Sequence, residues 1–525
     1  MIGEASHFSE EWHMNKNDRQ LIFGTLLTYI QTGLSIVIGL VYTPFILRVL
    51  GQSEYGLYST IASTISLLSI LSLGIGSSYV RYFMRCRQAG DEDGIARLNG
   101  LYLTVFCIIG LVALVCGLYL TANMHMIFKD GLRPEQYGTA RVLMILLTLS
   151  LAASFPMSVV GNFITAHERY VFLKLASILN TVVSPLITLP VLLAGYGSIG
   201  MVTVSVSVSA VVYLIQIFYC RRRLHMRVIL SGFEKGLFKE ILVFSSFIAI
   251  NILVDQVNDN LDKVIITRYC GTAIAAVYAI GQQVHVYFSM FSTAISGIFT
   301  PRIHSIVQAH PDDTAYLRGA LTELFIRVGR LQFFLLTLIL TGFVFFGRAF
   351  IYFWAGDGYT DAYYIALLLM TPAMIPLCQN IGIEMQRAQN LHQYRSVLYG
   401  SMALANLVIS IILCKRLGAI GCAIGTAIAV LLANGLAMNI LYQKKINIDV
   451  ISFWKSILGT LPGMIVPVIA GVLINVLGNI RTVPGMLLGI VVYTAIYAAS
   501  VWLISLNGEE KELLLGIVRR RTKNG

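Results

Sequence analysis

Charge is scarce in this chain. Lys and Arg number 38 and Asp and Glu 26 among 525 residues, so charged side chains make up 12% of the total. A water-soluble chain carries about twice that share. Hydrophobic residues stand in their place at 57%, and the mean hydropathy is +0.76. A soluble enzyme is thereby excluded, and the composition is that of a polytopic membrane protein. No CxxC pair occurs among the eight cysteines, and most of them sit in apolar runs where a thiol is a small hydrophobe. The nine histidines show no ligand spacing, so no metal site is indicated. A P-loop, a nucleophile motif and a paired-carboxylate hydrolase geometry are all missing. Gly74-Ile75-Gly76 is too short for a nucleotide loop and follows no strand. The longest segments outside apolar runs, around 122–139 and 221–239, are too short to fold as catalytic domains. The first apolar run is too long for a cleaved signal peptide and has no clear small-residue cleavage site, so that helix is expected to stay.

What is present is apolar runs of membrane length. Windows of about 20 apolar residues predict fourteen spans: 20–47, 54–84, 97–121, 140–166, 170–193, 199–220, 240–268, 273–300, 317–347, 361–387, 394–414, 419–442, 453–478 and 483–506. With the N-terminus placed inside, 28 Lys and Arg fall on the cytoplasmic side and nine on the outer side, Lys263 lying within a helix. This bias puts both termini in the cytoplasm of a multi-pass membrane protein. The net charge of +12 is thus a topology signal. The run Arg221-Arg222-Arg223 and the tail Arg519-Arg520-Arg521-Thr522-Lys523 suit anionic membrane lipid rather than nucleic acid.

The chain repeats itself. Arg48-x-x-Gly51-x4-Gly56-x-Tyr58 matches Arg268-x-x-Gly271-x4-Ala276-x-Tyr278 at an offset of 220. Gly197-Ser198-Ile199-Gly200 matches Gly418-Ala419-Ile420-Gly421 at 221, and Thr165-Ala166-His167-Glu168 resembles Arg387-Ala388-Gln389-Asn390 at 222. A near-constant offset predicts two copies of a six-helix bundle in the same orientation, with the last two helices outside the repeat. The expected organisation is a cytoplasmic segment 1–19, a first bundle 20–222, a basic linker 223–239, a second bundle 240–445, the extra helices 446–508 and a basic tail 509–525. Two like-oriented bundles around a cleft are the layout of an alternating-access transporter.

The polar residues are concentrated in the second copy. At about 100° per residue, Asp255, Asp259 and Asp262 share one helix face with Asn251 and Asn258, and Lys263 lies at its edge. A carboxylate in the bilayer costs several kcal/mol, so such a column predicts a water-filled cavity. The alternative is that Asp262 and Lys263 mark the helix end and only the other two carboxylates lie deep. The positions 220 earlier are Ser35, Gly39 and Tyr42, so the charged face is a property of one copy. His285, beside Gln282 and Gln283, is either hydrogen-bonded structure or a proton relay. Asn380, Glu384 and Arg387 at i, i+4 and i+7 are either an inner gate or a structural ion pair. Arg81 and Arg302 end equivalent helices at the cytoplasmic mouth, where with Arg387 they would bind a diphosphate bidentately or anchor at the interface. Pro156, Pro185, Pro372 and Pro376 mark kinks.

The two Arg-x-x-Gly stretches, Asp262 and Ala166-His167-Glu168-Arg169-Tyr170 together resemble the bacterial polysaccharide flippases. These are the O-antigen and teichoic-type exporters of the multidrug/oligosaccharidyl-lipid/polysaccharide superfamily. The resemblance covers nearly the whole chain. It implies an all-α, MATE-like fold of two repeated bundles plus two C-terminal helices that help form a groove for a lipid tail. It implies translocation of undecaprenyl-diphosphate-linked oligosaccharide from the inner to the outer leaflet, a polysaccharide polymerase as a partner, and no enzyme activity. One chain holds both bundles, so a monomer suffices. No cofactor is expected, and a sodium or proton gradient is the expected coupling. Asp255, Asn258, Asp259, Asp262, Lys263, His285, Asn380 and Glu384 are the expected cavity residues, with Arg81, Arg302 and Arg387 at the diphosphate. Helix 1 departs from the lipid II flippases in having no intramembrane Arg–Asp pair. A cation-coupled multidrug or metabolite exporter of the same fold is the alternative that the acidic face suits. A membrane-embedded glycosyltransferase would need an acidic catalytic loop and a large outer loop, and neither is present.

Overall fold

The computed structural model describes residues 16–231, 235–310, 313–389, 391–478, 482–508 and 510–512. Most of the N-terminal segment and of the basic tail therefore lies outside the described residues, as does the side chain of Asn251. Seventeen helices account for almost all of the described residues, and no strand occurs among them. They are α1 (Lys16–Ser66), α2 (Gly76–Gln88), α3 (Glu92–Ala122), α4 (Met124–Phe128), α5 (Gln136–Ala166), α6 (Tyr170–Leu193), α7 (Gly197–Arg223), α8 (Lys235–Cys270) and α9 (Thr272–Ala309). Then follow α10 (Thr314–Ala355), α11 (Asp361–Cys378), α12 (Ile381–Ala388), α13 (His392–Val430), α14 (Met438–Lys444), α15 (Val450–Leu458), α16 (Pro462–Leu477) and α17 (Val483–Ser500).

An all-helical chain is what a bilayer permits, since every backbone group must be paired within its own segment. Nine stretches of helix among the described residues are long and apolar enough to cross a membrane. They become ten if α15 and α16, bent by 43°, form one span. The protein is thus a multi-pass membrane protein. All fourteen predicted spans fall largely on helix, but several differ in form from an unbroken rod. Helix α1 carries two of them, divided at Gly51, and α13 carries two, divided at Gly418. The span 54–84 runs from α1 through a 3₁₀ turn at Leu67–Ser72 into α2. The span 361–387 is two helices, α11 and α12, with Pro372 and Pro376 in the last two turns of the first. Helix α9 is not among the nine, with Gln282, Gln283 and His285 in its middle.

The duplication is written into the backbone. Gly51 has φ 73° and ψ 170°, and Gly271, 220 residues on, has φ 86° and ψ 171°. Both sit where one helix stops and the next begins, in a conformation that only glycine adopts cheaply. Gly197 and Gly418 repeat this at an offset of 221, with φ 58° and 63°. Asp91 and Asp313, 222 apart, cap α3 and α10 with nearly identical dihedrals (−89°, 85° and −88°, 86°). Each accepts a hydrogen bond from the backbone N–H three residues on. Pro156 of α5 and Pro376 of α11 are likewise equivalent, at an offset of 220.

Packing divides the chain into two units at a different place from the helix count. The first unit holds residues up to Gly51, then Ile61–Lys129 and Arg133–Gln256. The second holds Gln52–Thr60, Asp130–Leu132 and everything from Val257 onward. The boundary thus falls inside α8, because Ile241 is buried in the aromatic core of the first unit beside Tyr79, Tyr82, Phe83 and Tyr102. In that unit the basic segment after α7 is pinned to α3, where Ile229 N–H donates to the carbonyl of Ala96 at 3.0 Å. In the second unit the short stretch of α1 beyond Gly51 lies against α8 and α9. Thr60 Oγ1 is 2.6 Å from Thr267 Oγ1, and Ser53 Oγ is 2.9 Å from Thr272 Oγ1. A Cβ on Gly56 would stand 1.8 Å from the Thr272 carbonyl oxygen, so glycine is required there.

The last helices are held to α10 by a buried ion. Arg330 is 6% exposed and lies sixteen residues into α10, where it serves as a packing residue. Its guanidinium donates to both oxygens of Glu510 (2.7 and 2.9 Å), to Ser456 of α15 and to the carbonyl of Ser505 (2.9 Å). Phe334, Phe346, Met464, Tyr493 and Tyr497 form the apolar layer beside it. Removing one partner of such a pair strands the other charge. Arg330→Ala is expected to cost about 3–5 kcal/mol of stability, read as a lower thermal unfolding midpoint of the purified protein in detergent. The double variant Arg330→Ala/Glu510→Ala should recover part of that loss.

Candidate functional site

The polar residues of the second unit converge on a cavity of about 180 Å³. Three helices build it by ordinary helical spacing. Helix α8 contributes Asn258 and Asp259, and α9 contributes Tyr278, Gln282 and His285 at i, i+4 and i+7. Helix α13 contributes Tyr399, Met402, Ala403 and Asn406 before its break at Gly418, and Thr426, Ala429 and Val430 after it. Leu369 of α11 is on the apolar side, and Ala433 and Asn434 come from a π-helical turn at Leu431–Ala437. Such turns are rare and often mark functional positions. Here the turn brings Asn434 to Tyr399, whose hydroxyl donates to the Asn434 amide oxygen.

The lining is rich in amides. Asn406 Nδ2 donates to Asn258 Oδ1 at 3.4 Å, and Gln282 Nε2 donates to the backbone carbonyl of Asp259 at 2.7 Å. Ser410 Oγ supports Asn406 from behind at 3.1 Å. Asn439 in turn bonds to the carbonyls of Asn434 and Gly435 at 2.8 and 2.9 Å, which steadies the π turn. No Arg or Lys is among the described lining residues. Arg395 lies beside the wall, its guanidinium carbon 4.7 Å from the ring centroid of Tyr399.

The predicted residues separate. Asn258, Asp259 and His285 line the cavity, and Asp259 is exposed to it. Asp255, one turn away, is exposed but not part of the lining. Asp262 lies behind the wall at 5% exposure, so the three carboxylates on one helix face do not share one environment. Its Oδ2 accepts from Tyr278 Oη at 2.6 Å and from Thr426 Oγ1 at 2.9 Å, which ties α8 to α9 and α13. Lys263 is half-buried and within electrostatic range of Asp259 and Asp262. Asn380 caps α12 away from the cavity and donates to Ser292 and Ser296 of α9 at 3.4 and 3.2 Å. Glu384 and Arg387 form the ion pair that their spacing allowed, at 2.6 Å. Arg81, Arg302 and Arg387 are all exposed, and none lines the cavity. Tyr399, Asn406, Thr426 and Asn434 were not singled out from sequence. The two asparagines carried the same signal as Asn258, an amide within an apolar run of membrane length.

Asp262 gives a direct test of the wall. Asp262→Ala would remove the acceptor that the buried Tyr278 hydroxyl and Thr426 share, at about 1–3 kcal/mol. Asp262→Asn keeps an acceptor oxygen. Thermal melts in detergent should therefore show a large fall for Asp262→Ala and a small one for Asp262→Asn, and equal falls would sink the assignment.

Residues 21–307 match the family model described as polysaccharide biosynthesis protein. No curated protein matches the chain. Among solved structures, the chain is similar to the lipid II flippase MurJ in its inward closed conformation. The TM-score is 0.64 at 15% identity, covering 91% of this chain and 99% of the other. It is also similar to an inward-facing multidrug resistance MATE family transporter of the MOP superfamily (TM-score 0.62, 14% identity, 84% and 99% covered). A third is the MATE multidrug transporter DinF-BH (TM-score 0.56, 15% identity, 83% and 97% covered). At these identities what is shared is the fold.

Proposed function

This chain belongs to the polysaccharide biosynthesis protein family, and on that premise we propose that it is a lipid-linked oligosaccharide flippase. Its fold is that of flippases and transporters rather than of an enzyme. The substrate we propose is an undecaprenyl-diphosphate-linked oligosaccharide, carried from the inner to the outer leaflet of the bacterial cytoplasmic membrane by alternating access. The product would feed a polysaccharide polymerase, and a single chain would suffice.

The observation that supports this reading best is the cavity wall. Amides and hydroxyls of Asn258, Gln282, Tyr399, Asn406, Thr426 and Asn434 offer donors and acceptors in the pattern that sugar hydroxyls satisfy. At about 180 Å³ the cavity is smaller than the 300 Å³ or more of typical small-molecule sites. It therefore suits one sugar residue or a coupling ion, not a whole oligosaccharide. With Asp259 as its carboxylate and no Arg or Lys among its described residues, the wall offers a diphosphate no cation. The diphosphate would instead meet exposed arginines of the second unit, Arg302 and Arg387, or Arg395 beside Tyr399. Asp259 is the candidate for coupling to a sodium or proton gradient. The lipid tail would run along α16 and α17, which expose Leu473, Leu477, Leu487 and Leu488.

The carboxylate of Asp259 on the wall also fits a second reading, a cation-coupled exporter of cationic drugs with this same fold. Reconstitution separates the two. In liposomes holding fluorescent undecaprenyl-diphosphate oligosaccharide, the parent chain should move the lipid between leaflets, faster under a sodium or proton gradient. Asp259→Asn should slow it at least about tenfold, the loss of about 1.4 kcal/mol of useful interaction. Asp255→Asn, off the cavity, should change it less than about threefold, under 0.7 kcal/mol. Drug efflux without lipid movement would establish the exporter.

A further inference from the structure

Cys270 and Cys414 are 144 residues apart, yet their Sγ atoms lie 3.9 Å from each other. Cys270 is the last residue of α8, and Cys414 sits four residues before the break of α13 at Gly418. Their neighbours hold them in place on both sides. Lys415 Nζ is 5.2 Å from the ring centroid of Tyr269, and a Cβ on Gly418 would come within 3.8 Å of Cys270 Sγ. Two turns back along α8, Asp262 is bonded to Thr426 of the same α13. A disulfide has an S–S length of about 2.05 Å, so the sulfurs need to close by roughly 2 Å. Cys422 also lies against Cys414, but its S–H is directed to the carbonyl of Ser410 at 3.8 Å.

The side of the membrane decides whether such a pair stays reduced. The charge bias assigns Arg268, near the end of α8, and Lys415, near the break of α13, to the outer side, and this inference rests on that topology. Outside the cytoplasm thiols are oxidised and disulfides persist. We propose that Cys270 and Cys414 form a disulfide that fastens α8 to α13 at the outer end of the second unit.

Cys270 is half-buried and Cys414 is fully buried, which sets the order of events. The oxidant is a thiol–disulfide oxidoreductase in its disulfide form. The Cys270 thiolate attacks one sulfur of that disulfide, forming a mixed disulfide and releasing the other sulfur as a thiolate. The Cys414 thiolate then attacks Cys270 Sγ, and the oxidant leaves as a dithiol. Two electrons and the two thiol protons pass to the oxidant. The bond ties together two walls of the cavity, since α8 carries Asp259 and α13 carries Asn406 and Thr426.

The test uses the full chain in bacterial membranes. The membranes are dissolved in SDS with N-ethylmaleimide present, so that buried free thiols are blocked as well, and the protein is digested without reductant and analysed by mass spectrometry. A Cys270–Cys414 peptide pair, two hydrogens lighter than the separate peptides and lost on dithiothreitol, is the expected result. In Cys270→Ser, Cys414 should become alkylated. Dithiothreitol should lower the apparent melting temperature of the parent by about 5 °C, since the bond closes a long loop, and should leave Cys270→Ser unchanged. Alkylation of both cysteines in the parent would overturn the proposal, and so would a Cys414–Cys422 link. These readouts do not depend on transport, so a failed flipping assay with the link present would count against the flippase reading alone.

Discussion

A carboxylate inside an apolar helix bundle must be given partners, and the second unit is arranged around that requirement. Asp262 is nearly inaccessible, and its two hydrogen bonds come from different helices, Tyr278 on α9 and Thr426 on α13. Lipid is as apolar as leucine, so helices in a bilayer gain little from burying apolar surface. Polar contacts and close approach at small residues bring them together instead. The Asp262 knot supplies the first. Gly421 and Gly425 supply the second, letting the two segments of α13 pack against each other at Leu413 and Ser410. With those three helices fixed, their polar faces enclose the cavity.

The same logic holds the C-terminal helices. Arg330 meets Glu510, Ser456 and the Ser505 carbonyl at one buried point, so α10, α15 and the end of the α17 segment share a single anchor. Isolated buried charges would be intolerable there, and a bidentate pair with further carbonyl and hydroxyl contacts is tolerable. Asp262 and Arg330 thus play corresponding parts. Each is a charged-type residue held in packing contacts, while Asp259, one turn from Asp262, is exposed on the cavity.

Duplication explains why only one copy carries this chemistry. Gly51 and Gly271, Gly197 and Gly418, and Asp91 and Asp313 show that the helix breaks and caps were kept in both copies. Ser35, Gly39 and Tyr42 stand where Asp255, Asp259 and Asp262 stand in the second. The frame was preserved because a helix can end only where its backbone groups find partners. The charged face was free to differ, and the cavity described here belongs to the second copy.

The sequence by itself determined the class of protein, the helical spans and the repeat. Apolar run length and glycine spacing are local properties, and the bilayer leaves helices as the structure for a chain of this kind. It also put the polar face on α8, because helical periodicity holds within one element. Only the tertiary structure decided what each residue on that face does. Asp255, Asp259 and Asp262 are equivalent in periodicity, but their roles depend on α9 and α13, which approach from up to 164 residues away. The pairing of Arg330 was not legible either, because its partner Glu510 lies 180 residues on. Cys270 and Cys414 read as isolated thiols for the same reason. Contacts between distant segments are set by packing, and a spacing rule carries no information about them.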